Sequence, residues 1–128
     1  MKVLLDTHTL IWAVDNPAKL SKTASTTLQD PANELVLSAG IIWELAIKIG
    51  QGKLTLSMPY RKWMERAVSD LQLTIAPVTI EYVEHLIGLP MHHKDPFDRL
   101  LVCQALNDKL QIVSVDPILD SYGVSRIW

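Results

Sequence analysis

The sequence predicts an α/β fold with a mainly parallel central sheet, and three observations carry the prediction. Short runs rich in Val, Ile and Leu recur at Val3 to Asp6, Glu34 to Ser38, Leu73 to Val78 and Gln111 to Asp116, with the length and composition of strands. Stretches of helical period separate them, the alternation that produces parallel sheets. Two of the runs, Val3-Leu4-Leu5-Asp6 and Ile112-Val113-Ser114-Val115-Asp116, each close on an acid. As buried parallel strands they would bring both acids out at one carboxyl edge, where open α/β sheets place their ligands.

In chain order, Asp6 precedes a helix expected over Thr7 to Val14, so it can act as that helix's N-cap as well as a site residue. Ala39 to Ile49 carries an apolar stripe through Ile42, Leu45, Ala46 and Ile49 and ends at Gly50-Gln51-Gly52. Pro59 to Leu71 repeats the pattern through Trp63, Met64, Ala67, Val68 and Leu71, again at helical spacing. Leu89-Pro90 breaks a helix over Glu81 to Gly88, and Asp95-Pro96 opens a long one running to about Leu110, since proline favours the first helical position and disrupts later ones. No linker, repeat or low-complexity tract is visible, so residues 1–128 read as a single domain, long enough to bury a core without disulfides.

With 48% hydrophobic and 20% charged residues, the chain has the composition of a globular protein rather than a disordered one. No apolar run is long enough to cross a bilayer, and the start meets an acid at Asp6 too soon for a signal peptide, so a cytoplasmic protein is expected. The single Cys103, within Leu101-Val102-Cys103-Gln104-Ala105, suits a small buried residue better than a nucleophile. A net charge of −2 argues against coating nucleic acid through bulk positive charge. It leaves room for a nuclease, whose acidic site itself lowers the net charge.

Two further acids fall in strong contexts, Glu44 in Ile41-Ile42-Trp43-Glu44-Leu45-Ala46 and Asp98 in Asp95-Pro96-Phe97-Asp98. Glu44 either pairs with Lys48 one turn on, a contact of roughly 0.3–0.5 kcal/mol, or lies buried among apolar neighbours and wants a partner. Asp95 and Asp98 have the spacing of a capping box, which accounts for Asp95 better than for Asp98. Asp116 precedes Pro117, so a capping role and a site role are both open. Carboxylates forced together repel and raise each other's pKa, so a cluster ionised at neutral pH calls for a cation. Oxygen donors without Cys or clustered His suit Mg²⁺ or Mn²⁺ rather than zinc. His92 and His93 are adjacent, His85 lies in an amphipathic helix, and His8 could at most contact substrate or pack beside Asp6.

Four segments together resemble the PIN domain, specifically the toxin ribonucleases of bacterial VapBC-type toxin–antitoxin pairs. Leu4-Leu5-Asp6-Thr7-His8-Thr9-Leu10-Ile11-Trp12 resembles that family's first motif, and Ser38 through Trp43-Glu44-Leu45-Ala46-Ile47-Lys48 its second. His92-His93-Lys94-Asp95-Pro96-Phe97-Asp98-Arg99-Leu100-Leu101 is similar to the third, with Ser114-Val115-Asp116 at the fourth. The resemblance spans essentially the whole chain. It implies a PIN-like three-layer α/β/α sandwich, an acidic triad of Asp6, Glu44 and Asp98, and Asp116 as a more variable fourth acid, with Asp95 shaping the helix start. It also implies hydrolysis of RNA, a cognate VapB-type antitoxin and a homodimer. In a two-metal arrangement, ions about 3.5–4 Å apart would hold the attacking hydroxide and stabilise the leaving oxygen.

Lys48, Lys53, Arg61, Lys62 and Arg66 give the middle of the chain a positive bias that either holds a phosphate backbone or simply solvates helix faces. Trp12, Trp43, Trp63 and Trp128 can stack on unpaired bases or serve core and interface, and the helices carrying Trp12 and Trp63 are expected to offer an apolar groove. Other α/β proteins with an acid after the first strand fit less well. A haloacid-dehalogenase-type phosphatase wants a second Asp where His8 stands, and a response-regulator receiver wants an acidic pair where Thr7 follows Asp6. The alternative is an inactive PIN module that binds RNA or protein partners, against which the intact acids argue.

Overall fold

The computed structural model describes residues 1–128. Its strands are β1 (Lys2–Leu5), β2 (Glu34–Ser38), β3 (Thr74–Ala76), β4 (Gln111–Val113) and β5 (Arg126–Ile127). They form one parallel sheet in the order β3-β2-β1-β4-β5. Helices α1 (Thr7–Asp15), α2 (Lys22–Gln29), α3 (Ala39–Gly50), α4 (Tyr60–Asp70), α5 (Ile80–Glu84) and α6 (Pro96–Asp108) flank it. Val3, Leu4, Leu5, Leu37, Ile112 and Val113 are all fully enclosed, as strands covered on both faces must be.

The strand order determines where a ligand can sit. From β1 the chain steps outward through β2 to β3, then returns through α6 to lay β4 on the other side of β1. The connections leaving β1 and β4 therefore diverge, opening a crevice at their carboxyl ends, the switch point at which open α/β sheets bind ligands. Leu5 pairs with Val113 in register, and the Asp6 N–H still donates to the Val113 carbonyl at 3.2 Å. Asp6 and the segment after Val113 thus leave the sheet side by side.

Several expectations need correction. The last predicted strand stops at Val113: the Ser114 N–H still donates to the Ile127 carbonyl at 3.1 Å, but its carbonyl accepts from the Arg126 side chain and its hydroxyl serves the sheet edge. The Leu73–Val78 run shortens to three residues. α2 was not expected, since Lys-Thr-Ala-Ser-Thr-Thr-Leu-Gln buries only Ala24 and shows no apolar stripe. β5 is two residues long, too short for any pattern. α5 covers Ile80–Glu84, and the expected remainder to Gly88 continues as single hydrogen-bonded turns.

α3 faces the core through Gly40, Ile41, Glu44 and Leu45; of the expected stripe Leu45 is wholly buried, Ile42 and Ile49 are half-buried and Ala46 is exposed, while Trp43 is 66% exposed. A Cβ on Gly40 would stand 2.6 Å from Leu100 Cδ2, so the glycine lets the Leu100 side chain of α6 pack directly against α3, and any side chain here would force Leu100 to shift. Trp63 of α4 is wholly buried, its indole N–H donating to Asp15 Oδ1 at 2.9 Å. It is core, not part of an open apolar groove. No helix is long and apolar enough to cross a membrane.

Candidate active site

A cleft of about 230 Å³ opens at the switch point, and Asp6, Glu44, Asp98 and Asp116 all line it together with His8 and Lys48. Each acid arrives on a different element. Asp6 follows β1 and caps α1, accepting from the Thr9 N–H at 2.8 Å. Its other oxygen accepts from the Ser114 hydroxyl, which in turn accepts from the Asp116 N–H at 3.0 Å. Asp116 caps the short 3-10 helix Pro117–Tyr122 through the Ile118 N–H at 3.0 Å. The capping and cleft-lining roles left open for Asp6 and Asp116 are therefore compatible, because a carboxylate at a helix N-terminus has one edge free for something else.

Glu44 also combines its two readings. It is 2% exposed, yet one oxygen accepts from Thr7 Oγ1 at 2.5 Å and the other is ion-paired with Lys48. Burial works against the charge of Lys48, but the hydrogen bond and charge of Glu44, with Asp95 and Asp98, outweigh it and hold the ammonium pKa above its usual 10.5. The protein thus supplies Glu44 with its own cation.

Asp98 is different. Asp95 caps α6 by accepting from the Phe97 and Asp98 N–H groups, but the Asp98 carboxylate makes no reciprocal bond, so the full capping box is absent. Burial, then the charge of Asp95, pushes the Asp98 pKa up to about 6, with Glu44 and Asp6 adding to the rise and His93 opposing it. Asp98 is the carboxylate in the cleft whose charge the protein leaves without a hydrogen-bond donor.

The donor chemistry of these groups bears on whether a divalent metal fits. No three His, Cys, Asp or Glu side chains close around one point, so a cage built from protein atoms alone is not present. Mg²⁺ does not require one; it keeps several waters and commonly takes only one or two carboxylates. The free edge of Asp6 and the bare Asp98 fit that demand, with Glu44 held by Lys48 and Asp116 beyond them. The absence of cysteine from the cleft fits Mg²⁺ or Mn²⁺ better than zinc.

Sequence reasoning missed the groups that orient these acids. Thr7, Ser114 and His93 each contact a cleft carboxylate, but isolated hydroxyls and a lone histidine carry no periodic signal. The basic bias also changes meaning, since Arg61 and Arg66 pair with Glu65 and Asp70 along α4. Cys103 is buried, and burial raises its thiol pKa.

An acid-lined cleft at the switch point of a parallel α/β sheet defines the class. Comparison with known proteins gives the family. The family model for the PIN domain matches residues 3–124. Ribonuclease VapC22 of Mycobacterium tuberculosis is 30% identical over 130 residues, covering 98% of each chain. The chain belongs to the PIN domain family, in its VapC group. Among solved structures, VapBC2 of Rickettsia felis bound to a promoter DNA fragment shares the fold with a TM-score of 0.75 at 14% identity, over 98% of this chain and 97% of that one. FitAcB of Neisseria gonorrhoeae matches with a TM-score of 0.64 at 15% identity, over 97% of this chain and 95% of that one. VapBC-1 of nontypeable Haemophilus influenzae matches at 0.59 and 17%, over 98% and 96%. All share the α/β/α arrangement expected from the sequence.

Proposed function

We propose that this protein is the toxin ribonuclease of a type II toxin–antitoxin pair, an endoribonuclease that hydrolyses RNA phosphodiester bonds with Mg²⁺ or Mn²⁺ at the cleft of Asp6, Glu44, Asp98 and Asp116. The observation that carries the reading is the pairing of a hydrogen-bonded Asp6 with a bare, half-buried Asp98 in one cleft. Asp6 and Asp98 would hold the ion most closely, and Glu44 and Asp116 would complete its ligands directly or through water. When bound, a divalent ion activates water and stabilises the departing oxygen. Lys48 is ion-paired with Glu44 and places a cation at the cleft where a phosphate would lie. Trp43 is exposed and meets Phe97 edge-on, with ring centroids 5.4 Å apart, so it offers an unpaired base a stacking surface one residue from Asp98.

Residues 1–128 are read as one PIN unit acting in the cytoplasm, as a homodimer restrained by a VapB-type antitoxin. The VapBC complexes among the structural neighbours support that partner. An inhibitory tail presenting Arg or Lys would compete with metal for the carboxylates. The test is cleavage of RNA by the purified protein, with analysis of the new ends. Hydrolysis by activated water leaves a 5′-phosphate and a 3′-hydroxyl and stops in excess EDTA. A 2′,3′-cyclic phosphate or full activity in EDTA would overturn the metal mechanism.

A further inference from the structure

We infer that His93, anchored by Tyr122, is a positioning residue that fixes the Asp116 carboxylate in the cleft; the inference rests on reading that cleft as a divalent-metal site. His93 does not itself line the cleft. Its Nε2 stands 2.7 Å from Asp116 Oδ2, and since a carboxylate can only accept, Nε2 carries the proton. Nδ1 faces the Tyr122 hydroxyl at 3.3 Å. That hydroxyl oxygen also accepts from the His93 backbone N–H at 2.7 Å. The two rings stack with centroids 5.5 Å apart and planes 11° apart, while His92 packs edge-on against Tyr122 at 4.8 Å. The histidine ring is therefore held from both ends.

The second oxygen of Asp116 is occupied by the Ile118 N–H, and its backbone is tied through Ser114 to Asp6. With both oxygens engaged, the carboxylate cannot swing away, and its free edges keep one direction. His93 lies in the segment that leads into α6 and Asp98, whereas Asp116 follows β4. Their hydrogen bond joins the two chain segments that bring Asp98 and Asp116 to the cleft. Partners of this kind, which orient a ligand without touching the ion, typically affect metal affinity by ~10–100-fold.

The experiment is calorimetric titration of Mn²⁺ into the full chain, with a thermal melt of each variant. His93→Ala should weaken Mn²⁺ binding about 10-fold or more, and Tyr122→Phe, which keeps the ring and removes the hydroxyl, should weaken it less. His93→Gln should recover part of the loss because its amide can still donate to Asp116. In an Asp116→Asn background, His93→Ala should cause no further loss. Wild-type affinity in both His93→Ala and Tyr122→Phe, or additive losses from His93→Ala and Asp116→Asn, would overturn the inference. If Asp6→Asn and Asp98→Asn lose Mn²⁺ while His93→Ala keeps it, only the positioning role fails. If Asp6→Asn and Asp98→Asn bind Mn²⁺ like the wild type, the cleft reading fails and this inference falls with it.

Discussion

The two walls of the cleft are built on opposite electrostatic terms. On the sheet side, Asp6 is 7% exposed and satisfied, accepting from a backbone N–H and a hydroxyl, and the neighbouring Glu44 has a threonine and a lysine. On the α6 side, Asp98 is half-buried, accepts no hydrogen bond and lies near Asp95, Glu44 and Asp6, which oppose its ionised form, with His93 alone favouring it. Burial of a satisfied carboxylate contributes order; burial of an unsatisfied one stores a cost that an incoming cation removes. The sheet wall is thus preorganised, while the α6 wall awaits its ligand. The same substitution should therefore act differently on each side.

The largest expected effect is on cleavage. Asp6→Asn and Asp98→Asn should each lower RNA hydrolysis by ~10²–10³-fold, the scale of losing one preorganised electrostatic group, measured on purified protein with saturating Mg²⁺. Stability should separate them. Asp6→Asn keeps a competent N-cap, so its melting temperature should stay near wild type, whereas Asp6→Ala should cost a further ~1 kcal/mol. Asp98→Asn should raise the melting temperature at pH 7. Equal stability changes for the two Asn variants would erase the distinction between the walls.

Next in size is the packing that holds the walls together. Gly40→Val should destabilise by about 1–3 kcal/mol, read from urea unfolding, because its Cβ starts 2.6 Å from Leu100 Cδ2 between the helices that carry Glu44 and Asp98. A neutral Gly40→Val would mean that α3 and α6 can separate freely. A smaller effect concerns pH. The Asp98 pKa is raised from 3.8 to about 6, so the stability linked to its protonated form is full below its ordinary pKa and is lost as pH rises through about 6. The metal-free wild type should therefore melt at a lower temperature at pH 7 than at pH 5, and Asp98→Asn should flatten that difference. Smallest of all, Arg61→Ala on exposed α4 should change stability by no more than ~0.5 kcal/mol and leave cleavage intact. A large loss of cleavage there would restore a substrate role for the basic middle of the chain.

Much of this arrangement was legible in the sequence because strand ends are strong signals. An apolar run closing on Asp6 specifies both the strand and the edge where the acid emerges. Gln111-Ile112-Val113 did the same for Asp116, although the strand ends earlier than its apolar pattern. What could not be read is rotation and contact. The stripe on α3 predicted burial of Ile42 and Ala46, but Ile42 is only half-buried, Ala46 is exposed and Trp43 faces outward, while Glu44 faces in, as one of its two readings had it. Trp63 looked available for docking until Asp15 supplied a partner for its indole N–H. The orienting groups Thr7, Ser114 and His93 act through bonds that cross the sheet edge between distant segments, and no local pattern encodes those.

What sets this cleft apart is the electrostatic cost that Asp98 stores and a divalent cation relieves. The most direct test of that claim is the melting temperature at pH 7, with and without Mn²⁺, for wild type and Asp98→Asn. Binding to the native state alone stabilises by mass action, so the wild type should start lower and rise clearly with Mn²⁺, while Asp98→Asn should start higher and gain little. An equal Mn²⁺-induced rise in both proteins would contradict the claim and remove Asp98 from the metal site.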